Sequence, residues 1–338
     1  MKKKLIIGLV TLLSLVLTYG FANALTGSCS TCHTMHDSQG GAAVATGGPL
    51  DLLLNNTCLG CHTSATGNTI ISGTPIVYNS GAYPVGARGS GVTAPLAGGN
   101  FYAAASAAGD SNVHNVVGIL AGVDGVLGDT PPGGSALAAQ LTCAGTQGCH
   151  GNRSVSGDNA AIKGAHHANV AGSMDGLTIA KSYRFLGGAG GTAGVQGVEQ
   201  LLWEQTATAT NHNGYFGNTG SAATTGSISV LCAACHTNFH GVTGTGSPEP
   251  WQRHPTDIVL TTDTFTGYGT TYKLETPVAL ATPSTNGNAA ADSRVICMSC
   301  HNAHGSTYAD MLRFDYTTMN AGNTTNNLGC ESCHNAQR

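Results

Sequence analysis

The sequence predicts an irregular, coil-dominated fold with short helical turns and little regular sheet. Three observations predict it. Glycine fills 49 of 338 positions, about twice the usual share. Charged residues make up only 9% and aromatics 6%. All twelve cysteines fall into six pairs, each followed immediately by a histidine. Glycine at that density weakens helices and strands through backbone entropy. The stretches 41–49, 63–112, 122–142 and 216–228 are rich in Gly, Ala, Ser, Thr and Asn and hold little period of 3.6 or 2. Alone they would read as disordered. An apolar body other than an aliphatic core is needed, and the cysteines name it.

Five pairs have the form Cys-x-x-Cys-His: Cys29/Cys32/His33, Cys58/Cys61/His62, Cys232/Cys235/His236, Cys297/Cys300/His301 and Cys330/Cys333/His334. The sixth is stretched. Cys143 and Cys149 are separated by five residues, with His150 next. This is the attachment signature of c-type haem: two thiols form thioethers to the porphyrin, and the next residue sets an imidazole under the iron. Zinc ribbons also use Cys-x-x-Cys pairs but need no histidine after each one. Disulfides at two-residue spacing would leave the histidines unexplained. Six covalent haems c are therefore expected, making this a multihaem cytochrome c wrapped around its cofactors, with the helical turns at the haem motifs.

Small candidates for regular structure are 159–170, 183–186 and 199–204. The intervals between motifs vary widely, so no fixed-period repeat and no internal domain boundary is expected. The cluster Gly187-Gly188-Ala189-Gly190-Gly191 lacks the strand, helix and lysine of a phosphate loop, and reads as a flexible turn.

Residues 1–24 read as a secretory leader. Lys2, Lys3 and Lys4 precede a mostly apolar run from Leu5 to Tyr19, and Ala22-Asn23-Ala24 is a small-residue cleavage site. The run is short for a bilayer-spanning helix, which needs about 20 residues. The expected mature unit is 25–338, a single hexahaem domain, exported through the periplasm. Without the three lysines it carries 10 basic and 17 acidic residues, net −7. That excludes a nucleic-acid partner, which requires clustered Lys and Arg.

Each motif histidine supplies one axial ligand. Eight others remain: His36, His114, His166, His167, His212, His240, His254 and His304. Six irons need six distal ligands, so every haem can be ligated by two histidines, leaving no open position for a substrate. This favours electron transfer over catalysis, and no enzyme activity is expected. His33/His36, His301/His304 and His236/His240 are three or four residues apart, hence on one side of a helical turn. Two such rings cannot grip one iron from opposite faces. The second must serve another haem, or hydrogen-bond a propionate. His114 and His254 become ligand candidates through the count. Of the adjacent His166 and His167 one is expected to reach an iron, and His212 reads as a loop residue.

Several segments carry a resemblance. They are Cys-Ser-Thr-Cys-His-Thr-Met-His at 29–36, Cys-Leu-Gly-Cys-His at 58–62, His-Asn-Val-Val at 114–117 and Tyr-Arg-Phe-Leu-Gly-Gly at 183–188. They continue with Cys-Ala-Ala-Cys-His-Thr-Asn-Phe-His at 232–240, Arg-His-Pro at 253–255, Cys-Met-Ser-Cys-His-Asn-Ala-His with Leu-Arg-Phe-Asp in 297–315, and the terminal Cys-Glu-Ser-Cys-His. In this order they resemble the extracellular hexahaem cytochromes of Geobacter-type bacteria that polymerise into nanowires. The resemblance implies a mostly coil protomer and a file of six bis-histidine haems in alternating parallel and T-shaped contacts. It also implies a head-to-tail homopolymer in which His36 ligates, in the next copy, the haem of His301. The sequence departs from the family at Cys143-x5-Cys149-His150, with Ala-His-His following at 165–167.

Haem motifs near both chain ends suit head-to-tail stacking, since a heterologous contact that does not close yields an open filament. The leading expectation is a secreted conduit at the outer cell surface, taking electrons from donors at the cell envelope to external acceptors such as metal oxides or electrodes. Two alternatives are a non-polymeric periplasmic or surface carrier and a multihaem reductase with one open haem.

Overall fold

A computed structural model describes residues 28–338 apart from 46, 103–111, 123–124, 126–127, 167–171, 190–191, 219–225, 241–253, 261–267, 270, 288–291, 321–327 and 335–338. The expected leader and His167 lie outside the described residues. Coil dominates, as the composition predicts. Four short α-helices occur among the described residues: α1 (Cys58–His62), α2 (Asp158–Ala161), α3 (Ile228–Ala233) and α4 (Cys297–Cys300). Three of them carry haem-motif cysteines. The first and last motifs lie on 3-10 turns, Cys29–Thr31 and Gly329–Ser332.

The turns form because the motif closes on itself. The histidine amide donates to the first cysteine's carbonyl at 2.8 Å (His33), 2.9 Å (His236), 3.0 Å (His301) and 2.9 Å (His334). Ser227 caps α3 by accepting from the Val230 amide, satisfying a donor that a helix start leaves open. The turns stop where the backbone becomes extended, at Thr63 after α1 and at His301 after α4. Each of these five motifs thus takes up about one turn, enough to aim two thiols and a ring, whereas the stretched Cys143–His150 motif lies on no helical turn because its five-residue insert loops out.

Among the described residues helical backbone covers Asp158–Ala161, overlapping the expected 159–170, of which 167–170 lie outside the described residues; 183–186 and 199–204 contain the 3-10 turns Tyr183–Phe185 and Leu201–Glu204.

One mixed sheet lies beneath the second half of the chain. Its strands are β1 (Ser173–Met174), β2 (Gly197–Val198), β3 (Gly214–Phe216), β4 (Ile258–Val259), β5 (Ala279–Leu280) and β6 (Arg294–Val295), in the order β4-β6-β5-β3-β2-β1. The β5–β3 pair is parallel, with Ala279 opposite Tyr215, and the others are antiparallel. Against it packs a small core including Tyr183, Leu186, Tyr215, Ile228, Ile296 and Met298. The strands are two or three residues long, so side chains satisfy much of the buried backbone, which folded chains rarely leave unpaired. Arg184 donates to Gln200 O and to Asn213 Oδ1, and pairs with Glu199 at 3.3 Å. Buried Glu204 accepts from the Asn213 amide. Arg184, Glu199 and Glu204 thus serve as joints between coil segments.

Glycine matters where chains cross. Gly99 (φ +80°) runs beside Gly305 (φ +140°), and a Cβ on Gly99 would collide with the Gly305 carbonyl. That close approach brings the His304 amide to Gly98 O at 2.7 Å.

Candidate functional site

The motif histidines are oriented by the backbone. Nδ1 lies 2.9 Å from Leu52 O at His33, 2.8 Å from Pro75 O at His62, 2.9 Å from Arg184 O at His150, 2.8 Å from Pro132 O at His236 and 2.7 Å from Asp310 O at His301. A carbonyl only accepts, so the ring proton sits on Nδ1 and the lone pair on Nε2. This is the tautomer that ligating histidines present, with the second nitrogen fixed by a backbone or carboxylate acceptor. His114 and His254 do the same, bonding Ala303 O at 2.7 Å and Pro255 O at 2.9 Å. Burial lowers the pKa of His62, His114, His150, His301 and His334, and pushes His304 down to about 3. These rings are kept neutral, the form that binds metal.

The first, third and fifth motifs share one device. Leu52/Leu53, Arg184/Phe185 and Asp310/Met311 are consecutive pairs with φ between +47° and +62°, a left-handed backbone costing L residues roughly 1–2 kcal/mol each. In each pair the first carbonyl accepts from the motif histidine's Nδ1. The second accepts from the amide following that histidine: Thr34 at 2.7 Å, Gly151 at 2.6 Å and Asn302 at 2.8 Å. Strain concentrated this way marks a functional position. Sequence reasoning missed these residues because they act through carbonyls, and they lie 19, 34 and 9 residues after their histidines. The available signal was a leucine directly after each pair: Leu54, Leu186 and Leu312.

Four pairs of histidine rings face each other across the structure. Ring centres are 6.1 Å apart for His62–His166 and 6.2 Å apart for His114–His236, His150–His304 and His254–His334. A ring nitrogen lies about 2 Å from a metal it binds, and the ring centre roughly 1 Å further back, so two imidazoles on opposite sides of one iron have centres roughly 6 Å apart. The donor set therefore fits a haem iron held between each pair. His304 faces His150 and not its sequence neighbour His301, in line with the spacing argument.

Among the described residues no histidine ring stands in that relation to His301 or to the exposed His36. His240 is placed differently again: its Nε2 donates to Asp257 Oδ2 at 2.9 Å, and Asp257 is fully buried. His212 is buried, stacks on Tyr272 at 3.4 Å, and has both nitrogens near backbone carbonyls, Asn213 O at 2.8 Å and Gly287 O at 3.2 Å.

The thiols meet in chain order. Cys32 approaches Cys61, and Cys58 approaches Cys143. Cys149 lies near Cys235, and Cys232 lies against Cys297. Cys300 adjoins Cys330 and Cys333, and its thiol is pushed up to about 12, chiefly by burial. Each motif is thus next to its successor.

The stretched third motif closes like the short ones. The Cys149 and His150 amides reach Cys143 O at 3.3 and 3.0 Å, beside 3.2 and 2.8 Å for Cys32 and His33 on Cys29 O.

These features define a class, the multihaem c-type cytochromes, whose cofactor is covalent haem c. A family model described as a doubled CXXCH motif matches residues 287–338. The chain is similar to the C-type cytochrome OmcS of Geobacter sulfurreducens, 27% identical over 373 aligned positions that cover 91% of this chain and 84% of the relative. Two solved structures align with this chain. One is described as cryo-EM of the OmcS nanowires from Geobacter sulfurreducens: 20% identity, TM-score 0.50, covering 89% of this chain and 86% of that one. The other, the Outer Membrane Cytochrome S filament of the same organism, is 22% identical with TM-score 0.49 over 88% and 85% of the two chains.

Proposed function

We propose that this chain carries electrons outside the cell along six covalent haems in file, and that copies join head to tail so that the file continues from one chain to the next. The observation that carries the reading is the set of four histidine pairs at single-iron spacing, combined with thiol neighbours that follow chain order. Haem iron, alternating between ferric and ferrous, supplies one-electron chemistry whose potential the surroundings tune.

The protein's part is to hold and space the groups. The six cysteine pairs would anchor them. His62 with His166, His150 with His304, His236 with His114 and His334 with His254 would take the second, third, fourth and sixth irons. The first iron, on His33, would be left by the count to one of the remaining histidines. His301 is left for an outside donor and His36 for an outside acceptor, which supports His36 ligating the fifth haem of the next copy. With two histidines on each iron there would be no seat for a substrate, which supports a conductor over an enzyme.

The resemblance to a nanowire cytochrome supports a secreted unit, 25–338 after a leader at 1–24, passing through the periplasm to the outer surface. There it would accept electrons from envelope donors and pass them to acceptors such as metal oxides or electrodes. Intact mass of the purified secreted protein should equal the cleaved chain plus six haems, and electron microscopy should show filaments. Five haems with a disulfide at Cys143/Cys149 would refute the count. Discrete particles with six low-spin haems would leave a non-polymeric carrier, and a stoichiometric high-spin ferric haem would favour the reductase alternative.

A further inference from the structure

The third motif must close a loop of five residues where its counterparts span two, and its neighbours show how. Inside the insert the Gly145 amide bonds His150 O at 3.0 Å and the Gly148 amide bonds Gly145 O at 2.9 Å. Three further bonds come from the segment that follows. Asp158 Oδ1 accepts from the Ala144 amide at 3.0 Å, Val155 O accepts from the Thr146 amide at 3.0 Å, and Arg153 Nε donates to Gly148 O at 3.1 Å. Ala144, Gly145 and Gly148 are buried, and a Cβ on Gly148 would meet the Ala144 backbone at 2.5 Å. The insert is a folded plug.

Asp158 sits at the junction. One carboxylate oxygen holds the first residue of the insert. The other lies 3.8 Å from Cys58 Sγ, and the Cys58, Cys143 and Asp158 ligand atoms all lie within 4.8 Å of one another. Asp158 also opens α2, whose end returns to the site as Ala161 O accepting from the Asn152 amide at 2.8 Å. The short motifs need none of this, because a single turn brings their amides onto the first cysteine's carbonyl. An extended loop would otherwise sample many closures and aim His150 poorly.

We propose that Asp158 is a positioning residue for the third haem: it clasps the 144–148 insert so that Cys143, Cys149 and His150 adopt the geometry of a Cys-x-x-Cys-His turn. It acts through the Ala144 amide. The inference rests on the six-haem reading.

The test is a pair of substitutions in two backgrounds, the natural chain and one with residues 146–148 deleted, which leaves Cys-x-x-Cys-His. The readouts are intact mass and low-temperature EPR. In the natural chain Asp158→Ala should convert about one haem in six to a high-spin signal. Asp158→Asn keeps an oxygen acceptor and should restore the low-spin spectrum. In the shortened chain Asp158→Ala should have no such effect. Six low-spin haems in Asp158→Ala of the natural chain would overturn the proposal alone. An equal loss in both backgrounds would also overturn it, by showing a general folding role. Five haems in the unsubstituted chain would instead overturn the six-haem reading and the proposal with it.

Discussion

Replacing His36 with alanine separates an intersubunit ligand from an internal one. The ring is exposed and forms no facing pair with another histidine among the described residues, so its loss removes little from the isolated subunit. Surface changes of that kind fall within about 0.5 kcal/mol. The filament should respond very differently. Loss of an outer partner alone weakens metal sites 10–100-fold, so loss of the ligand itself should weaken subunit association by more than about 100-fold, about 2.7 kcal/mol. His36→Ala should keep six covalent haems and a near-unchanged melting temperature. It should also turn about one haem in six high-spin and reduce filaments to short oligomers in electron micrographs. Long filaments with every haem low-spin would refute the trans ligation, leaving packing as the basis of any polymer.

Three further outcomes follow from the same geometry. His304→Ala should also yield one high-spin haem in six, yet leave filaments intact; because the ring stacks on Phe101 at 4.9 Å, it should cost the subunit about 2 kcal/mol in thermal melts. Asp257→Ala orphans three donors, the Asn218 amide, Ser227 Oγ and His240 Nε2, and should cost about 3 kcal/mol; a loss below about 1 kcal/mol in chemical denaturation would show the network to be dispensable. In acid, His304 has its value lowered by burial from 6.5 to about 3, so stabilisation of its neutral form is complete above pH 6.5 and is lost as pH falls towards 3. The haem of His150 should therefore stay six-coordinate through pH 6 in an EPR titration, and release near pH 6 would contradict the enclosure.

The cofactor was legible in the sequence because thioether chemistry requires two thiols and an adjoining imidazole at fixed local spacing, which survives in any fold. The coil-rich architecture was legible for a related reason: 49 glycines and little periodicity disfavour long helices and long strands whatever the chain wraps, although they did not foretell that six very short strands would join in one sheet. Spacing also gave the negative result that His301 and His304 face different partners. It could not say that His304 meets His150, because that contact depends on Gly99 passing Gly305, two glycines some 200 residues apart. Nor could it find Leu52, Arg184 and Asp310, whose carbonyls aim three motif histidines, since every residue type carries a carbonyl and only the left-handed backbone turns it inward. The stretched third motif shows a further division. Its residues announce an attachment site, while the bonds that close it come from Arg153, Val155 and Asp158, a few residues downstream, which no spacing rule marks.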